Sequence, residues 1–198
     1  ILINSSFTWC MEMSLRIIGG SARGRRLASP PGKNVRPTGD RVREAVFNIL
    51  GQRFEGWSFI DVCAGSGAVS LEAISRGAER VVALESNKER CRHIQNEAER
   101  LDFSDRLDIC HGDARGALSN LCEEGGASFD VAFVDPPWVE EGLRQQILDL
   151  LFQSPPLCAL AVCEFSVGKV EPDVPEGARK IRRADYGNTS LVFLEVAP

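Results

Sequence analysis

The sequence lacks the patterns that hold disulfide-rich or zinc-bound folds together. Its seven cysteines are odd in number and scattered, no two have C-x-x-C spacing, and the two histidines, His93 and His111, lie far apart. A disulfide framework or a metal site is therefore not expected. Several cysteines fall in apolar segments, where a thiol acts as a small core residue, and this favours a reducing cytoplasm.

Long apolar runs are also missing. No run approaches the roughly 20 residues that a membrane-spanning helix needs, so no membrane partner is expected. The first twelve residues lack an initial methionine, a basic leader and a clear cleavage site, and so do not resemble a signal peptide. We expect residues 1–13 to be an upstream or expression-derived extension, with Met13 as the natural start.

Charge is unevenly distributed. Residues 16–43 contain eight basic residues and one acid, a local charge of +7, whereas the rest of the chain contains fifteen basic and twenty-seven acidic residues, a charge of −12. This asymmetry indicates an anionic partner on one face, although an ordinary solvated surface is the alternative. The candidate phosphate-binding residues are Arg16, Arg23, Arg25, Arg36, Arg41 and Arg43.

Strand-like and helix-like segments alternate through most of the chain. This alternation predicts one compact α/β unit over 14–198, a mostly parallel seven-stranded sheet with helices on both faces. The predicted strands are 58–63, 80–85, 106–110, 129–135, 158–165, 180–186 and 189–196, and the predicted helices are 67–76, 88–101, 114–124 and 139–152. The last two strands are separated so briefly that they must form an antiparallel hairpin.

A basic amino-terminal region, 14–53, precedes the body, 54–198. Segments 14–18 and 25–27 are predicted to pair as a hairpin, and Pro30-Pro31-Gly32 ends it. A helix capped by Thr38 or Asp40 is expected to run to Leu50 and to stop at Gly51. Its predicted apolar face consists of Val42, Ala45, Val46, Ile49 and Leu50, with Arg41, Arg43 and Glu44 off that face.

A strand, a glycine turn and a helix form a nucleotide-binding pattern at residues 59–74. The turn Ala64-Gly65-Ser66-Gly67 has only two of the three glycines typical of dinucleotide sites, which disfavours a nicotinamide cofactor. Asp61 would repel a pyrophosphate and attract a cation. Glu85 ends the next strand, 24 residues later, where an acid binds ribose hydroxyls, and Asp113 ends the third strand.

Asp135-Pro136-Pro137-Trp138 follows the fourth strand. Two prolines stiffen this backbone, and a carboxylate and a large aromatic face stand beside them. Such a group can accept hydrogen bonds from an amino group and can stack a planar base. The alternative is a turn in which Asp135 is a turn residue and Trp138 covers the core.

The order of these features resembles the Rossmann-like methyltransferases that use S-adenosylmethionine. The amino-terminal segments narrow the resemblance to the bacterial 16S ribosomal RNA guanine-N2 methyltransferases that modify guanine 966. Those segments are Arg16-Ile-Ile-Gly-Gly20, Arg23-Gly-Arg25, Arg36-Pro-Thr38, Asp40-Arg-Val-Arg-Glu44 and Phe47-Asn48. The chain departs from this family in having Trp at 138, where Phe or Tyr is commoner, and about a dozen extra residues at its start.

The resemblance implies a site for each part of the reaction. S-adenosylmethionine would be bound by Asp61, Cys63, Ala64, Gly65, Ser66, Gly67, Glu85, Ser86, Asp113, Ala114 and Asp135. The catalytic residues would be Asp135, Pro136, Pro137 and Trp138, with no metal. The partner would be 16S ribosomal RNA or the assembling small subunit. A monomer is the default expectation, which does not come from the resemblance.

Three alternatives stay open from the residues alone. The same tetrapeptide serves N6-adenine methyltransferases of DNA or RNA and protein glutamine methyltransferases. The third is a catalytically idle RNA-binding module, against which the complete set of acids argues.

Overall fold

The computed structural model describes residues 15–32, 39–123, 128–137 and 142–198. Arg36, Thr38 and Trp138, which carried sequence predictions, lie outside the described residues. Within these segments, five α-helices and seven strands follow the predicted alternation. The helices are α1 (Asp40–Leu50), α2 (Ala68–Ser75), α3 (Lys88–Arg100), α4 (Ala114–Glu123) and α5 (Leu143–Phe152). The strands are β1 (Ser58–Val62), β2 (Arg80–Glu85), β3 (Leu107–His111), β4 (Phe129–Val134), β5 (Cys158–Ser166), β6 (Ala178–Tyr186) and β7 (Thr189–Val196).

The strands form one sheet in the order β3-β2-β1-β4-β5-β7-β6. The five strands from β3 to β5 in that order are parallel, because helices connect them, and β7 runs antiparallel to both of its neighbours. The predicted seven-stranded, mostly parallel sheet with a C-terminal hairpin is therefore confirmed.

Two apolar layers cover the sheet. Buried residues of α1, α2 and α3 pack on one face, and those of α4 and α5 pack on the other. Successive crossovers change face between β1 and β4, so a crevice opens there at the carboxyl ends of the strands. None of the helices in the described segments combines the length and the apolar character that a membrane span requires.

The ends of the strands differ from the prediction by one or two residues. Cys63, which was expected to end β1, is instead a turn residue with a φ of 68°. Asp135 lies just beyond β4, although its N–H still points to the carbonyl of Val62 at 3.4 Å. The strand β6 begins at Ala178, two residues earlier than expected.

The helix α1 corrects two predictions. Gly39, not Thr38 or Asp40, occupies its N-cap, and no side chain caps the helix. Arg43 does not lie off the packed face: it is 1% exposed, and its guanidinium donates to the carbonyl of Arg16 at 2.6 Å and to Asp40 at 2.9 Å. Phe47 is fully buried, whereas Ala45 is only half-buried, so the packed face is rotated from the expected one.

The amino-terminal hairpin forms as predicted and packs on α2 and α3. Ile17 and Arg25 are joined by an N–H···O bond of 2.9 Å, and Leu15, Ile17 and Leu27 enter the core. The fully buried carboxylate of Glu72 accepts from the N–H groups of Ile18 at 2.7 Å and Gly19 at 2.8 Å. The hairpin is therefore bound to α2 by backbone groups as well as by apolar side chains.

Glycine at position 20 is required by this contact. A Cβ on Gly20 would lie 1.8 Å from the carbonyl oxygen of Ser75, at the end of α2. The neighbouring Ser21 N–H donates to that same oxygen at 2.7 Å. Gly24 also has positive φ, but a Cβ there would meet nothing within 4 Å.

We predict that Gly20→Ala destabilises the protein far more than Gly24→Ala. Both substitutions carry the cost of a left-handed residue, about 1 kcal/mol. Only Gly20→Ala also displaces the hydrogen bonds to Ser75, which adds about 2 kcal/mol. Urea denaturation of both variants measures the difference, and equal losses would contradict the proposed role of the close contact.

Candidate active site

Four acids stand in a row along the carboxyl edge of the sheet. Asp113, Glu85, Asp61 and Asp135 belong to or follow β3, β2, β1 and β4, which are adjacent in that order. Parallel strands bring their carboxyl ends to one edge, so residues distant in sequence meet there.

The glycine turn wraps over the end of β1. Cys63, Gly65 and Gly67 all have positive φ, and Ala64 N–H donates to the carbonyl of Leu84 on β2 at 2.9 Å. Ser66 is buried. A Cβ on Gly67 would lie 2.8 Å from the side chain of Ile94 on α3. Gly67 is thus required by helix packing as well as by its φ of 73°.

Asp61 lies beneath the start of α2. It is 3% exposed, and one carboxylate oxygen accepts from the N–H of Ser70 at 3.1 Å and from its hydroxyl at 2.5 Å. Burial raises the pKa of Asp61 to about 6, the bonds from Ser70 lower it, and the charge of Glu85 raises it further. A buried acid facing the turn suits a cationic group.

Glu85 holds the turn against α3. One of its oxygens accepts from Gly65 N–H at 2.8 Å, and the other accepts from Asn87 N–H at 2.7 Å and pairs with Arg90 at 2.9 Å. The adjacent Ser86 is exposed, and its carbonyl lies 3.1 Å from a ring nitrogen of His111. Glu85 is therefore oriented by the same backbone that would surround a ligand.

Asp113 is the acid least connected to the others. Its carboxylate accepts from the N–H groups of Arg115 and Gly116 at the start of α4, beside buried Ala114, and pairs with the Arg115 side chain. Hydrogen bonding from that guanidinium lowers the pKa of Asp113 below its ordinary value. These contacts make it a helix cap and leave its side chain 55% exposed.

The Asp135-Pro136-Pro137 segment extends β4 toward the crevice. Asp135 is half-buried, Pro136 is buried and Pro137 is exposed. The charge of Asp135 helps to raise the pKa of the Cys163 thiol on β5, after burial, which is the main cause. The segment thus lies beside both the turn strand β1 and the strand β5.

Glu164 is an acid that the sequence reasoning missed. It interrupts the apolar strand β5, is 5% exposed, and also contributes to the raised pKa of Cys163. Strand alternation directs Glu164, Asp135 and Asp61 to the same face of the sheet. A charged residue within an apolar strand was the available signal.

Among the candidate RNA-binding arginines in the described residues, Arg43 is buried and the other four are exposed. The tip of the hairpin, with Arg23 and Arg25, lies beside the C-terminal end of α2, which a crossover helix places at the sheet edge opposite the acids. Arg16 pairs with Asp40, and Arg41 is exposed on α1. Arg43 is buried against the hairpin and does not reach the surface.

The family model described as Conserved hypothetical protein 95 matches residues 15–195. The chain belongs to this family. The matched range takes in the hairpin, the row of acids and the C-terminal strands.

Curated relatives carry methyltransferase names. Ribosomal RNA small subunit methyltransferase D of Escherichia coli is 35% identical over 81% of this chain and 79% of its own length. The protein of the same name from Haemophilus influenzae is 33% identical over 71% of this chain and 72% of its own.

Solved structures share the architecture. The structure of yhhF from Escherichia coli, described as a methyltransferase, has a TM-score of 0.81 at 30% identity and covers 92% of this chain and 98% of that one. A hypothetical protein from a Thermus species, TTHA0928, gives 0.72 at 29% identity, with coverages of 91% and 99%. The Rossmann-like methyltransferase fold expected from the sequence is confirmed.

We predict that Asp61 makes stability fall as pH rises from about 4 to 6. The folded state favours the neutral carboxyl, because its pKa is raised from 3.8 to about 6, whereas the unfolded chain ionises near pH 4. The stabilisation is complete below pH 4 and is lost by pH 6, a change of about 3 kcal/mol. Urea denaturation at several pH values, with Asp61→Asn as the control, tests this prediction. Parallel pH profiles for the two proteins would refute it.

Proposed function

We propose that this protein transfers a methyl group from S-adenosylmethionine to the N2 amine of a guanine in small-subunit ribosomal RNA. The target would be the guanine that corresponds to guanine 966. One observation carries the proposal: the Asp135 N–H contacts the carbonyl of Val62. This contact holds the Asp135-Pro136 segment beside β1, the strand that leads into the glycine turn. It brings an acceptor for an amine beside a turn suited to a nucleoside. The names of the relatives agree with this reaction.

The residues at the carboxyl edge fit S-adenosylmethionine. The buried carboxylate of Asp61 suits the cationic amino-acid end of S-adenosylmethionine. Glu85, held at the end of β2, suits its ribose hydroxyls. The positive-φ turn allows backbone groups to approach the ligand. When bound, S-adenosylmethionine supplies an electrophilic methyl group. The half-exposed carboxylate of Asp113 would accept from the adenine amine while it caps α4.

The chain's part in the chemistry is to prepare a poor nucleophile. The lone pair of the guanine N2 is delocalised into the ring, so the nitrogen must lose planarity before it can attack. The Asp135 carboxylate and the Pro136 carbonyl would accept its two N–H bonds and favour that geometry. Positioning of the two reactants supplies most of the rate. The methylated nitrogen is a strong acid, so no dedicated base or metal is required.

We predict that Glu85→Ala weakens S-adenosylmethionine binding at least about tenfold, because two hydroxyl hydrogen bonds to a charged acceptor, each worth roughly 1.5 kcal/mol or more, are lost. Asn87→Ala is the matched control, since it removes the side-chain N-cap of α3 but keeps the backbone N–H that donates to Glu85. Isothermal titration calorimetry on folded protein gives the affinities. Unchanged affinity in Glu85→Ala would remove this residue from the site.

We predict that Asp135→Ala lowers the single-turnover methylation rate by about 100-fold or more and changes RNA affinity little. The carboxylate interacts most strongly when the nitrogen pyramidalises and gains positive charge, which is a transition-state effect. Asp135→Asn keeps an acceptor oxygen and should retain more activity than alanine.

Rates per folded molecule, measured with methyl-labelled S-adenosylmethionine, distinguish this role from that of a turn residue. If Asp135 only stabilises the turn before Pro136, alanine lowers the melting temperature and leaves the rate near normal.

A further inference from the structure

An open groove runs between α1 and the edge strand β6. It has a volume of about 490 Å³ and is lined by Arg41, Asn48 and Ile49 from α1 and by Arg182 and Tyr186 from β6. Glu44 contributes one carboxylate to its wall. The groove therefore combines two cations, an aromatic ring and an amide around a single acid.

A β-bulge directs Arg182 into this groove. The register of β6 on β7 shifts between Lys180 and Arg182, so that Arg182 lies opposite Phe193. Phe193 faces the α1 side of the sheet. Without the shift, Arg182 would lie opposite Val192 and face the other side, because strand side chains alternate.

The groove arginines, Arg41 and Arg182, differ from the other basic residues of β6 in their ion pairing. Arg179 pairs with Glu195, while Lys180 and Arg183 pair with Glu171. Within the described segments, neither Arg41 nor Arg182 forms an ion pair. The bulge therefore turns Arg182 away from the ion-paired basic residues of β6. It places Arg182 in the same groove as Arg41 of α1.

Tyr186 connects the groove to the proposed catalytic edge. It lies opposite Thr189 of β7, which lies opposite Ser166 at the carboxyl end of β5. Its side chain therefore projects at the same edge and on the same face as Asp135 and Glu164. Tyr186 on β6 lies three strand spacings, or about 14 Å, across the sheet from β4, the strand that Asp135 follows.

We infer that this groove binds single-stranded RNA next to the target guanine, with a base stacked on Tyr186 and phosphates bound by Arg41 and Arg182. The inference deepens the proposed function and rests on it. An aromatic ring flanked by two arginines suits a single strand, whose bases are free to stack, better than a duplex. Two arginines outnumber Glu44, so the groove favours a polyanion.

The chain's single tyrosine permits a direct test. Protein grown with 3-fluorotyrosine gives one fluorine resonance, from position 186. Single-stranded oligoadenylate RNA should shift this resonance through the ring current of a stacked base, and double-stranded RNA of equal length should shift it far less. An unmoved resonance in the presence of saturating, bound RNA would overturn the inference.

Variants test the energetic contribution of the groove. Tyr186→Ala should raise the Kd for oligoadenylate about 5- to 150-fold, the range for loss of one stacked base, while Tyr186→Phe stays near wild type. Arg182→Ala should reduce the log–log salt slope by about 0.7. Arg183→Ala, on the same strand but ion-paired on the opposite face, is the matched control and should change neither quantity.

The outcomes separate this inference from the proposed function. RNA that is methylated at a normal KM by Tyr186→Ala and Arg182→Ala overturns the groove alone. RNA that binds, shifts the resonance and is never methylated overturns the proposed function alone. A poly-glutamate peptide that shifts the resonance as strongly as RNA would assign the groove to an acidic protein segment and overturn the inference.

Discussion

The buried carboxylate of Glu72 is the interaction on which the arrangement of the amino-terminal region depends. It accepts two backbone N–H groups of the hairpin and a 2.7 Å bond from Arg76, and both Glu72 and Arg76 are buried. A buried charge is tolerated only when its partners are complete, so α2 and the hairpin must be ordered together. Because α2 also follows the glycine turn, the hairpin, the turn and the acid row form one rigid framework.

Much of this framework could be predicted from the sequence, because it follows from local patterns. The alternation of segments predicted parallel strands, and the short link at Gly187 and Asn188 predicted the final antiparallel hairpin. The acids at the strand ends were visible for the same reason, since each follows an apolar run.

The features that could not be predicted depend on contacts between distant segments. Burial of Arg43 requires the carbonyl of Arg16, 27 residues away, and cannot be read from helical periodicity. Exposure of Arg182 on the α1 side depends on a register shift, which periodicity of two does not reveal. Gly67 was singled out as a ligand-binding glycine, and its closeness to Ile94 gives it a packing role that the turn pattern did not indicate.

The bulged, arginine-rich strand β6 also has a consequence for self-association. Among the described strands it is the last of the sheet, and its outer edge presents backbone groups on which a further strand could pair. A neighbouring copy that added its own β6 would bring Arg179, Lys180 and Arg182 against identical cations, and the bulge would break the regular ladder. The same side chains that give this edge its positive charge therefore also protect it against edge-to-edge aggregation.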